Sequence, residues 1–350
     1  MRSIRRLAGP SALLLSSVAL AACGDDDPAP IDQNDVIADT ADVASDVAPD
    51  VASDTGVEAE VSDAAPDVEP SVCWDDLAVG EFEVFYDGLI ENSEGIAFGN
   101  DGRLYVTSGD IIFAFDADAE REEFATIPTA LGLAPTTDGF IVAAIGESNS
   151  ASEIDGSVWH VTEAGEPTMI VDGIASPNFV TVMPDGSALI SDDFDTRVFR
   201  VTRDGDVTEA IVDIASPNGM GYSPDGQYLM VASTFTQDGE VTRIPVDANG
   251  MPQPDGWERV AELGAGATLD GLAIDIEGNT YVAANLRHQI VRIPADGAEP
   301  EIVGEGLGTP ASLAFGNGEG FDPCSIYSTQ LFGRQILRTS MGIEGAPLIP

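Results

Sequence analysis

From Cys73 onward the chain alternates short apolar runs with polar turns, and one frame keeps returning. Each copy opens on an anchor residue, continues apolar–small–apolar, and closes at Asp-Gly or a variant of it. The copies read Glu94-Gly95-Ile96-Ala97-Phe98 to Asp101-Gly102, Leu131-Gly132-Leu133-Ala134 to Asp138-Gly139, and Asn178-Phe179-Val180-Thr181-Val182 to Asp185-Gly186. They continue with Asn218-Gly219-Met220-Gly221-Tyr222 to Asp225-Gly226, Asp270-Gly271-Leu272-Ala273-Ile274 to Glu277-Gly278, and a degenerate copy from Ala311-Ser312-Leu313-Ala314-Phe315. Successive anchors lie 37, 47, 40, 52 and 41 residues apart. After the turn come a second apolar run (Ala188-Leu189-Ile190-Ser191), a third that alternates (Val198-Phe199-Arg200-Val201) and a fourth (Glu301-Ile302-Val303). Four short strands in about 40 residues, repeated around a ring, predict an all-β, six-bladed β-propeller with four antiparallel strands per blade. Ala97, Ala134, Gly221, Ala273 and Ala314 are small, as the innermost strand requires where blades converge on the axis.

The N-terminal segment has a different pattern. Arg2, Arg5 and Arg6 precede an apolar stretch from Leu13 to Leu20 that is too short to span a bilayer, which reads as an export signal over residues 1–22. Leu20-Ala21-Ala22-Cys23 resembles the lipobox of bacterial lipoproteins, making Cys23 the expected lipidation site; an ordinary secretory peptide is the alternative. Gly24 rather than Asp follows, so the expected location is the cell envelope, as an outer-membrane lipoprotein. Residues 23–72 read as a disordered acidic tether, with 12 Asp, 3 Glu and no basic residue. A coil of this length reaches roughly 40 Å. The propeller is assigned to residues 73–350.

Composition narrows the function. The 350 residues carry 14 arginines, no lysine and 61 acids, a net charge of −47. No basic face is available for phosphates, which excludes nucleic-acid binding. Residues 73–350 alone hold 11 Arg against 46 acids, a balance suited to high salt, where screening tames self-repulsion. With three cysteines and two histidines, zinc clusters are out. Cys73 precedes the first blade and Cys324 lies in the last; an exported protein can join them in a disulfide that clips the ring, the alternative being two buried thiols.

Because anchors open the innermost strands, all six should ring one mouth of the channel. Glu94, Asn178, Asn218 and Asp270 offer side-chain oxygens, and no Arg in the ring balances the two carboxylates. A divalent cation would, and an all-oxygen set suits Ca2+ best; otherwise each residue merely caps its own turn. Loops after the second strands surround the same mouth with Ser108, Asn149, Asp192, Asp193, Thr234, Asn285 and Arg287. Asp192 and Asn285 are the chosen substrate contacts among them. No nucleophile elbow, phosphate loop or Cys/His pair is present.

The Glu94-Gly95 opening, Pro217-Asn218-Gly219-Met220, and Asp270-Gly271-Leu272-Ala273-Ile274-Asp275 with Glu277-Gly278 resemble the gluconolactonase, regucalcin and senescence-marker-protein family of six-bladed propellers, over about residues 80–340. The resemblance implies that Glu94, Asn218 and Asp270 bind one divalent metal, with Asn178 beside metal and substrate. One position departs: the family's sugar-lactone enzymes have an arginine two residues before that asparagine, and Ser176 stands here. The implied activity is metal-dependent hydrolysis of a small-molecule lactone or related ester, with Asp270 as general base. The alternative is a non-catalytic, surface-tethered binding module with a structural metal. Expected associations are a monomeric protein, membrane contact only through the lipid, and no nucleic acid.

Overall fold

The structure is a computed structural model that describes residues 72–90, 92–146 and 154–347. The export signal, Cys23, the tether up to residue 71 and Asn149 lie outside the described residues. The polar and apolar runs fold into six four-stranded antiparallel sheets in a ring, as the repeats predict. Blade one is Ser93–Phe98, Leu104–Ser108, Ile111–Phe115 and Arg121–Thr126. Blade two is Ala130–Thr136, Gly139–Ala144, Gly156–Thr162 and Pro167–Ile174. Blade three is Pro177–Val182, Ala188–Asp192, Val198–Val201 and Val207–Ile211, and blade four Pro217–Tyr222, Tyr228–Ser233, Glu240–Pro245 and Glu258–Glu262. Blade five is Leu269–Ile274, Thr280–Ala284, Gln289–Ile293 and Glu301–Glu305.

Burial follows the order of strands within a blade. Second strands such as Leu104–Ser108 and Thr280–Ala284 are buried throughout, because sheets pack on both of their faces. Fourth strands such as Glu301–Glu305 expose their acids on the rim of the ring. The recurring Asp-Gly has a local cause. Asp185 and Asp225 accept the backbone N–H two residues on, from Ser187 and Gln227. The glycine between takes φ of +80° at Gly186 and +66° at Gly226, which costs an L side chain dearly.

The sixth blade is completed by the other end of the chain. Pro310–Phe315, Ser325–Gln330 and Gln335–Ser340 make its inner three strands, and Phe82–Asp87 pairs with the last of them from Phe82↔Thr339 to Asp87↔Gln335. The degenerate sixth copy therefore lacks a fourth strand of its own, and the ring closes by hydrogen bonds between the chain's two ends. Cys73 and Cys324 are joined by a disulfide across 251 residues. Closing a loop of that size contributes about 5 kcal/mol in the chain-entropy model. Beside it, buried Arg338 pairs with Asp76 and Glu83 and lies 4.9 Å from the centroid of the Trp74 ring. Phe85, Phe98, Phe321 and Tyr327 pack edge to face along the same seam.

Candidate metal and active site at the channel mouth

Each of the six inner strands breaks register at the same point. The first residue of the strand is paired, the next two are not, and pairing resumes at the fourth: Ser93 then Ile96, Ala130 then Leu133, Pro177 then Val180. Pro217 then Met220, Leu269 then Leu272, and Pro310 then Leu313 complete the set. The second residue, inside the bulge, is always the anchor: Glu94, Leu131, Asn178, Asn218, Asp270 or Ala311. A bulge re-aims the side chain it carries. Here it turns the anchors toward the axis, and the repeat explains why all six share one mouth.

The position after the anchor lets the blades close in. A Cβ on Gly95 would stand 2.2 Å from the Leu131 carbonyl oxygen, and one on Gly219 would stand 2.5 Å from that of Asp270. Hydroxyls on or just after the second strands then tie neighbouring blades together. Thr107 donates to the Leu131 carbonyl at 2.8 Å and Thr234 to that of Leu269 at 2.7 Å. The Asn285 amide donates to the Pro310 carbonyl at 3.1 Å.

Four sequence-chosen anchors meet at this mouth, with a fifth oxygen donor the sequence reading did not choose. Asp193 and Asp270 are buried, as are Asn178, Asn218 and Asn285, while Glu94 keeps partial access to the channel. Asn178 Nδ2 is 3.5 Å from Asp193 Oδ2, and Asn285 Nδ2 donates to Asp270 Oδ2 at 3.2 Å. Asn218 lies close enough to Asp193 and Asp270 to act on both carboxyls, and its Nδ2 donates to Thr234 Oγ1 at 3.0 Å. Ser216 Oγ lies 3.2 Å from Asp193 Oδ1.

Electrostatically the site is unbalanced. None of the ion pairs among the described residues involves Glu94, Asp193 or Asp270. Burial pushes the Glu94 carboxyl up to about 8, with the Asp193 charge adding to it. Burial pushes Asp193 up to about 7 against hydrogen bonds from Thr234 and Ser216. Asp270 is held well above the usual carboxylate range by burial first, then by the charges of Glu94 and Asp193. Asn218 Oδ1 is buried with no hydrogen-bond partner. An orphaned amide oxygen beside three carboxyls that cannot all ionise together is the donor chemistry a hard divalent cation satisfies. Among the described residues, no three His, Cys, Asp or Glu side chains converge closely enough to hold an ion by themselves. Any ion at this mouth would therefore need an amide oxygen as well, and Asn218 Oδ1 is the one left without a partner.

Asp192 does not join the mouth cluster. Its side chain turns back into blade three, accepting from the Phe194 backbone N–H at 3.3 Å and lying 3.4 Å from Arg197 Nη2. The cause is strand alternation. Asp192 pairs with Pro177 as Ala284 pairs with Leu269, so Asp193, not Asp192, is the equivalent of Asn285. Aligning second-strand ends between blades would have found Asp193 and Thr234 together. His288 lies on the exposed surface, its Nδ1 against the Gly308 carbonyl. At the opposite end of the channel a cavity of about 930 Å³ is lined by the later residues of the inner strands and by 344–347. No anchor reaches it.

The fold and this mouth define a class: a six-bladed propeller with carboxylate and amide donors at the start of its inner strands. The model of the SMP-30/Gluconolactonase/LRE-like region matches residues 175–323, which include Asn178, Asn218 and Asp270. The resemblance carried by the motifs is thereby shown, and the chain is similar to that family. Among solved structures, the calcium-binding protein regucalcin from Agrobacterium tumefaciens superposes with a TM-score of 0.62 at 19% identity, covering 78% of this chain and 100% of that one. A gluconolactonase from Xanthomonas campestris gives 0.58 at 18% identity, with 74% and 89% covered. A luciferin-regenerating enzyme gives 0.61 at 17% identity, with 77% and 98% covered. At such identities the likeness is one of fold. In sequence, no curated protein matches the chain.

Proposed function

We propose that this protein is a divalent-metal-dependent hydrolase of lactones or related esters, acting at the anchor mouth of the channel with Ca2+ as the favoured ion. The carrying observation is the mixed donor set: Glu94, Asp193 and Asp270 without a counter-cation, beside the orphaned Asn218 Oδ1. The names of its structural relatives, a gluconolactonase and a calcium-binding regucalcin, support the same reading.

Glu94, Asn218, Asp270 and Asp193 would hold the ion. When bound, it supplies Lewis-acid polarisation of a carbonyl oxygen and a lowered pKa for an attacking water. Asn285 fixes the plane of the Asp270 carboxyl through Oδ2, so that Asp270 can take the proton of that water. Asn178, hydrogen-bonded to Asp193, orients the substrate carbonyl from the neighbouring blade. The buried walls keep bulk water away from these groups and strengthen each electrostatic contact.

The protein is exported, lipidated at Cys23 and held as a monomer at the bacterial outer membrane by its lipid alone, with the acidic tether between anchor and ring. The test of function is hydrolysis of a lactone and ester panel by the purified chain, stripped of metal and then reloaded. Turnover restored by Ca2+ and reduced at least 100-fold in Asp270→Asn is the expected result. A loaded metal without turnover on any substrate would replace this reading with that of a tethered binding module.

A further inference from the structure

The mouth carries a second layer above the donors. Where the second strands of blades three to six end, the first residue beyond the strand is Asp193, Thr234, Asn285 or Leu331. The next is Phe194, Phe235, Leu286 or Phe332, with 37%, 59%, 53% and 50% of its surface exposed. In blades four to six one device sets this alternation. The first residue donates its N–H to the carbonyl of the residue that precedes the inner strand: Thr234 to Ser216 at 2.9 Å, Asn285 to Thr268 at 3.1 Å and Leu331 to Thr309 at 2.9 Å. The second donates to the same residue's hydroxyl: Phe235 to Ser216 at 2.9 Å, Leu286 to Thr268 at 3.0 Å and Phe332 to Thr309 at 3.0 Å. Ser216 and Thr268 adopt φ of +50° and +43° to make both bonds. Such backbone is strained for residues with a Cβ and persists where the surroundings over-determine it. The loop is therefore held with one side chain turned into the site and the next turned out over its edge.

Phe194 and Phe235 stack across blades three and four, centroids 5.6 Å apart and planes 25° apart, directly beyond Asp193 and Thr234. Ser216, whose hydroxyl accepts from the Phe235 N–H, also contacts Asp193. The apolar edge and the charged floor are thus one construction. The guanidinium of Arg287, the cation nearest this edge in sequence, is already engaged by the Leu263 and Ala265 carbonyls. Beside Phe194, Arg197 is paired with Asp192 and Asp195, so the edge at blades three and four presents exposed rings rather than an unpaired charge, and an apolar substituent would cover them.

Resting on the hydrolase reading, we infer that the substrate is a lactone or ester bearing an apolar alkyl or aromatic substituent, and that Phe194 and Phe235 are its specificity-determining contacts. The test uses γ-butyrolactones with alkyl substituents of increasing length, glucono-δ-lactone as the polyhydroxylated comparator, and the full metal-loaded chain. Each added methylene should raise kcat/KM about threefold until the aromatic edge is covered. Phe194→Ser/Phe235→Ser should flatten that series, with the loss of chain-length dependence appearing in KM. Trp257→Ser, at an exposed apolar position in the loop before the outermost strand of blade four, should leave the whole series intact. A parallel calorimetric series with the matching alkyl lactams, which need not react, separates the two ideas. If no lactone is turned over but lactam affinity still climbs with chain length and falls in the double variant, the hydrolase reading fails and the apolar specificity stands. A flat lactam series, a preference for glucono-δ-lactone, or self-association or vesicle binding that the double variant abolishes would overturn the inference.

Discussion

Two adjacent aspartates show how much one position matters. Asp192 and Asp193 have the same chemistry, yet strand alternation sends the first to Arg197 and the second to the mouth. Asp193→Asn should therefore weaken Ca2+ binding 10- to 100-fold by calorimetry. Asp192→Asn should leave that affinity within about threefold and instead lower stability by about 1 kcal/mol, through the lost turn contacts. The same buried acids set a pH dependence. Glu94 at about 8 and Asp193 at about 7 lie above their unfolded values, so the folded state prefers them protonated. Their contribution is complete below the unfolded carboxylate range and is lost as pH rises through 7 to 8. On the rim the sign reverses: a hydrogen bond from Arg203 lowers the pKa of Asp138, whose contribution is lost as pH falls through that lowered value. The metal-free protein should thus melt highest at about pH 4, where the unfolded carboxyls begin to ionise, and progressively lower toward pH 8. Saturating Ca2+ should remove the decline, and a melting temperature that still falls from pH 5 to 8 in excess Ca2+ would count against the ion binding these carboxyls.

At the scale of the strand, the site depends on a bulge and a glycine used together. The bulge re-aims the anchor, and the missing side chain after it lets the neighbouring blade come close. Gly219→Ala tests that pairing. Its Cβ would meet the Asp270 carbonyl oxygen at 2.5 Å and the Leu272 nitrogen at 2.7 Å, backbone atoms that cannot rotate away. The inner strands of blades four and five must separate, which should cost about 2–3 kcal/mol in urea unfolding and at least tenfold in Ca2+ affinity. Gly226→Ala occupies open space but has φ of +66°. It should cost only the backbone strain, about 1 kcal/mol, and leave the affinity unchanged. The repeated frame made the inner strands and their Asp-Gly turns legible from sequence. The bulge was not legible, because it is a mismatch between two strands and neither strand alone encodes it.

For the whole molecule, closure and charge dominate. The ring is held by the Phe82–Asp87 strand in blade six and by the Cys73–Cys324 disulfide. Against that closure works the repulsion of 46 acids facing 11 arginines over residues 73–350. Surface ion pairs such as Arg203–Asp138 and Arg259–Glu262 offset little of it. Added NaCl should therefore raise the melting temperature steadily from low to molar concentration, and a flat profile in calorimetric scans would contradict a self-repulsion large enough to matter. Blade number, strand order, the small residues on the axis and the anchors themselves were determined by sequence alone. Those properties follow from local periodicity and turn chemistry, which repeat often enough to be read. Tertiary structure alone decided the rest. It gave blade six its fourth strand from the far end of the chain, put Asp193 rather than Asp192 among the anchors, left Asn218 Oδ1 without a partner, and set the phenyl rings above the donors. Each of these is a relation between residues distant in sequence. Whether a carboxylate faces the axis or its own turn depends on the register of the strand beside it, which a single chain segment cannot specify.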